Sequence, residues 1–96
     1  MGYYTDFEII GYNSIEMADD LVKTSGYMWD DEYLLSDAKW YDYQENCEEV
    51  ARRFPENALT LEGRGEEHGD HWRLRLKDGK VYKVVPQIDW IEIGEA

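Results

Sequence analysis

Cysteine, proline and positive charge are all scarce in this 96-residue chain, and each scarcity excludes something. Cys47 stands alone, so no internal disulfide can form. Pro55 and Pro86 are the two prolines, so breaks forced by ring geometry are few. Ten lysines and arginines face 22 aspartates and glutamates, a net charge of −12. Direct nucleic-acid binding needs clustered cations on phosphates, and this balance argues against it. No apolar run approaches the roughly 18–20 residues of a membrane span. The opening Met1-Gly2-Tyr3-Tyr4-Thr5-Asp6 has neither a basic segment nor an apolar signal core, and Asp6 departs from the myristoylation pattern. These absences point to a cytoplasmic protein.

Aromatic residues, by contrast, are plentiful: four Trp, eight Tyr and two Phe. Such large apolar surfaces offset chain entropy when buried, which argues against disorder. The length suits a single domain over 1–96, burying roughly 60–65% of its unfolded surface. The charge is unevenly spread. Residues 1–50 hold 13 acids against Lys23 and Lys39, a balance of −11, whereas residues 51–96 hold nine acids against eight bases. Asymmetry of this kind within one domain suggests an electrostatic face.

Residues 3–10 alternate as a half-buried strand does, and Gly11 breaks them. Asn13 with Glu16 three residues on predicts a capping box, opening a helix over 14–24 with Ile15, Ala18, Leu21 and Val22 inward. Gly26 suits its stop. Residues 27–41 hold neither period; an ordered loop leading into a short strand near Lys39–Tyr41 is expected. A second helix over 43–54 places Tyr43, Cys47, Val50, Ala51 and Phe54 on one stripe, and Pro55 ends it. Strands follow over 58–64 and 71–77, then Asp78-Gly79 signals a hairpin into 80–85, and 88–93 reads as an edge strand. The expected architecture is α+β: an antiparallel sheet of four to six strands, two helices on one face, in order β-α-β-α-β-β-β. The expected core contains Phe7, Ile9, Ile15, Ala18, Leu21, Val22, Cys47, Val50, Phe54, Leu59, Leu61, Trp72, Leu74 and Leu76.

Between Lys39 and Val81 a set of short motifs keeps a recognisable order. They are Lys39-Trp40-Tyr41-Asp42, Arg53-Phe54-Pro55, Leu59-Thr60-Leu61-Glu62-Gly63, Glu66-Glu67, Gly69-Asp70, Trp72 and Lys77-Asp78-Gly79-Lys80. In these the chain resembles the YubB-like ferredoxin-like domains and a related group of small phage and prophage proteins. Met1-Gly2-Tyr3-Tyr4-Thr5 is similar to the start of the phage group. After Trp72, where similar phage proteins place aromatics, this chain has Arg73-Leu74-Arg75-Leu76. The resemblance implies a ferredoxin-like fold and a mobile-element origin, and it implies no activity.

Glu66-Glu67-His68-Gly69-Asp70-His71 holds metal-ligand residue types, but a structural zinc site wants four ligands at set spacing, so a solvated turn and no metal are expected. Cys47, central in an apolar stripe, reads as a small core residue rather than a reactive thiol. No catalytic triad order, phosphate-cradling loop or nucleotide fingerprint occurs, so no enzyme activity and no cofactor are expected. The acids of the second helix fit its macrodipole and the i,i+4 pairs Glu48–Arg52 and Glu49–Arg53.

Glu16, Asp19, Asp20, Asp30, Asp31, Glu32 and Asp37 have little local base to answer them, and Trp29 and Tyr33 lie among them. Two readings stand: aromatics turned to the core with acids serving solubility, or a partner-binding surface made of all nine residues. The second predicts a small mobile-element protein that occupies the basic, nucleic-acid-binding groove of a host protein such as a defence nuclease. It would act by mimicry of DNA, in the manner of an anti-CRISPR or anti-restriction inhibitor. An immunity protein against a basic nuclease toxin would show the same acidity. An accessory or structural phage module would instead use Arg73, Arg75 and Lys77 on an acidic partner.

Overall fold

The computed structural model describes residues 4–65 and 71–84. The strand expected over 88–93, the start of the first strand at Tyr3 and the turn Glu66–Asp70 lie outside those residues. The described chain runs β1 (Thr5–Ile10), α1 (Ile15–Ser25), β2 (Leu34–Ala38), α2 (Tyr43–Arg53), β3 (Leu59–Gly65), β4 (His71–Lys77) and β5 (Lys80–Val84). The strands form one sheet in the order β2-β1-β3-β4-β5, with every neighbouring pair antiparallel. This is the expected α+β architecture. The two helices cover one face of the sheet, and the neighbouring strands β1 and β3 run antiparallel.

Alternation along the strands sends Phe7, Ile9, Leu59, Leu61, Leu74 and Leu76 to one face, where they meet Met17, Ala18 and Leu21 of α1 and Cys47, Val50 and Ala51 of α2. All twelve are essentially fully buried. Val22, Phe54 and Trp72 pack against this core while partly exposed. Gly63 of β3 is bare because the Trp72 indole lies across it; a Cβ there would overlap the ring.

Three local expectations are corrected. Ile15 is 64% exposed while Met17 is fully buried. At about 100° per residue the buried arc of α1 is centred between Met17 and Ala18, which leaves Ile15 on its flank. The cap is Ser14, whose Oγ accepts from Met17 N at 3.2 Å. Asn13 instead accepts from Ala58 N at 3.0 Å, tying the β1–α1 turn to the entry of β3. Finally, the strand expected near 39–41 lies earlier, at Leu34–Ala38. Its pattern is hidden by a bulge: Phe7 pairs with Leu35 but Thr5 with Ala38, so inward side chains fall three apart rather than two. Asp78 and Gly79 both take positive φ (55° and 71°), as a type I′ hairpin turn requires.

Candidate functional site

The fold sorts the acids of the first half into those it uses and those it leaves alone. Asp20 faces α2 and forms an ion pair with Arg53 at 2.9 Å; Arg53 also donates to Thr24 Oγ1 at 2.7 Å. Asp19 accepts from the Tyr33 hydroxyl at 2.9 Å. That bond to a carboxylate, followed by partial burial, holds the Tyr33 hydroxyl above its ordinary pKa. Asp30 organises its own loop, because Oδ1 accepts from Glu32 N at 2.8 Å and from Leu34 N at 2.9 Å. Glu16, Asp31, Glu32 and Asp37 are exposed and form no ion pair among the described residues.

Two of the nine residues read as a docking surface are turned elsewhere. Asp20 belongs to the interface between the helices. Trp29 points inward: its indole N–H donates to Ser25 Oγ at 2.9 Å, and its ring meets Trp40 edge-on at 5.9 Å. Tyr33 is half-buried, edge-on to Tyr12 at 5.2 Å, and enters β2 in the left-handed region (φ 62°). Its bond to Asp19 brings the Asp30–Glu32 turn beside α1, where Glu16 lies one turn from Asp19. Glu16, Asp19, Asp30, Asp31, Glu32 and Tyr33 therefore share one end of the molecule. Asp37 stands apart, roughly 13 Å along β2 at about 3.3 Å per residue. It occupies the bulge (φ 52°), and its N–H donates to Asp6 Oδ1 at 2.8 Å. A charged bulge on an edge strand also protects that edge from pairing.

On the uncovered face of the sheet the charges are interleaved. Glu62 of β3 is 7% exposed, the one buried charged residue among those described. It pairs in register with Glu8 on β1 and with Arg73 on β4. Arg73 Nε donates to Glu62 Oε2 at 3.0 Å, His71 Nε2 lies 2.9 Å from the same oxygen, and Arg64 sits 3.8 Å from both Glu62 and Glu8. Burial alone would raise the Glu62 pKa, but the bonds from His71 and Arg73 outweigh it, and the carboxyl titrates below its ordinary range. Arg75 donates to Gly11 O at 3.1 Å and to Thr60 Oγ1 at 2.9 Å.

A cleft of about 260 Å³ opens where the start of α2 meets the helix-side face of the sheet. Sequence reasoning missed it, although the clustering of Trp40, Tyr41 and Tyr43 at the start of α2 was a signal. Cys47 lies elsewhere, in the core, where burial and then Glu48 push its thiol up to about 12, so it stays protonated. No group of three His, Cys, Asp or Glu side chains suited to a metal occurs among the described residues. No helix among them is long and apolar enough to cross a membrane. No family model, curated protein or solved structure matches the chain.

Proposed function

We propose that the chain is a non-catalytic, cytoplasmic binding protein of a phage or other mobile element, which presents its acidic α1–β2 end to a basic surface of a host protein. The supporting observation is the separation of charge across the sheet. Glu16, Asp19, Asp31 and Glu32, none of them ion-paired among the described residues, lie on α1 and the turn that enters β2, while Arg73, Arg75, Lys77, Lys80 and Lys83 lie on β4 and β5. At about 4.8 Å per strand spacing, β4 lies three spacings, roughly 14 Å, from β2, and β5 lies four, roughly 19 Å. Both exceed the Debye length of about 8 Å at physiological salt, so the basic strands do not neutralise the acidic end. Glu16, Asp19, Asp31 and Glu32 are the contact residues of this reading, with Tyr33 as a fixed aromatic among them.

The partner best suited to such an end is a groove that binds nucleic acid. Duplex DNA carries about one charge per 1.7 Å of axis, and clustered carboxylates imitate a short stretch of it. Complementary charge also speeds encounter. An immunity protein would use the same surface on a toxin, and the identity of the retained partner separates the two. The accessory-module reading is weakened, because Arg73 and Arg75 already bond within the fold.

Immobilised protein should retain a nucleic-acid-binding host protein from a lysate at low salt and release it between about 0.1 M and 1 M salt, as the Debye length shrinks from about 10 Å to about 3 Å. Retention that ignores salt contradicts the proposal.

A further inference from the structure

The aromatic cleft is built from residues that the acidic surface does not use. Its walls are Phe7, Trp40, Tyr43 and Trp72, with Tyr41 and Lys83 at the mouth. The walls are fixed. Tyr43 stacks on Trp72 at 4.5 Å and 18°, Phe7 meets both Trp40 and Trp72 edge-on at 5.0 and 5.9 Å, and Trp40 donates to Asn46 Oδ1 at 2.7 Å. Bare Gly63 lets Trp72 lie flat on β3, and in that position the indole forms a wall of the cleft.

The mouth is built differently. Tyr41 is 68% exposed, an aromatic ring left in water beside an aromatic recess. Lys83 is the one charged residue lining the cleft, and it forms no ion pair or hydrogen bond among the described residues. In a chain with 22 acids and ten bases, a lysine with no ion pair among the described residues, beside an aromatic recess, is the informative feature. Aromatic faces alone would favour a cation, through their quadrupoles. Lys83 at the mouth reverses that preference by repelling a cation and attracting an anion. The volume, below the roughly 300 Å³ at which drug-sized sites begin, suits one or two fused rings.

We infer that this cleft binds a planar aromatic group carrying an anionic substituent, the ring against the exposed Tyr41 and the edges of the aromatic walls and the anion at the Lys83 ammonium. Both a free aromatic carboxylate and a nucleotide present that chemistry.

The test is titration of the isotope-labelled protein, followed by backbone and indole N–H resonances, with 2-naphthoate, 2-naphthylmethylammonium and adenosine monophosphate. Naphthoate should shift resonances of Trp40, Tyr41, Tyr43 and Trp72 saturably and bind about tenfold more tightly than the amine, a difference of about 1.4 kcal/mol. Lys83→Glu should erase that preference, and Tyr41→Ala should weaken both ligands several-fold. Both side chains are exposed, so an unchanged spectrum away from the cleft verifies folding. Tighter binding of the monophosphate assigns the site to nucleotides; tighter binding of naphthoate assigns it to aromatic acids. Equal affinity for naphthoate and the amine, unchanged naphthoate binding by Lys83→Glu, or no saturable shift with any ligand overturns the inference. None of these results depends on the acidic end.

Discussion

Glu62 and the pair Asp31-Glu32 are carboxylates of one chain, yet the fold surrounds them in opposite ways. Glu62 sits between Arg73, His71 and Arg64 on the uncovered sheet face and is nearly buried. Asp31 and Glu32 stand exposed on a turn that is held together by their neighbour Asp30. A carboxylate beside cations contributes to folding, whereas like charges left without cations only repel one another. The difference identifies which acids the structure requires and which it merely carries.

Substitution should rank the acids accordingly. Glu62→Ala is expected to cost the most, about 1–2 kcal/mol in a denaturant titration, because a bonded group is lost while its half-exposed cations can turn to water. The same carboxylate gives a pH dependence. Its folded pKa lies below its unfolded value, so its contribution is complete above the ordinary glutamate pKa of about 4.3 and is lost as pH falls through the folded pKa. Glu62→Gln should therefore show a shallower loss of stability on acidification than the parent; equal slopes would mean that the carboxylate titrates normally.

Asp30→Ala should cost about 1 kcal/mol by releasing two backbone N–H groups, detected as faster amide exchange at Glu32 and Leu34. Asp20→Asn should cost at most about 0.5 kcal/mol, since Asp20 and its partner Arg53 are both partly exposed. At the small end, Asp31→Lys with Glu32→Lys should leave stability within about 0.5 kcal/mol or raise it. A loss as large as that of Glu62→Ala would erase the distinction between the two regions.

The element order was readable because local signals agreed with the fold: strict alternation in β4, the Asp78-Gly79 turn, and the apolar stripe of α2. β2 was not, because a bulge and two left-handed residues, Tyr33 and Asp37, break its period. Cap choice between Asn13 and Ser14 turned on a contact 45 residues away, which no local pattern carries. The candidate surface was legible as a concentration of acids but not in its membership. That Arg53 reaches Asp20 is a tertiary fact, 33 residues apart, whereas Trp29 turning inward to Ser25 and Asp30 folding its own loop are local bonds that no apolar period signals.

They also change how the surface must be probed. Reversing Asp30 would unmake the turn, and lysine at Asp37 would strain a left-handed residue that asparagine tolerates. The informative variant is Glu16→Lys with Asp31→Lys and Glu32→Lys, which spares Asp30 and leaves Asp37, which stands apart, untouched. Its capture from a host lysate, set beside that of the parent at equal stability, tests the central claim most directly. The account predicts that a nucleic-acid-binding protein held by the parent is absent from the variant; the same protein retained equally by both would contradict it.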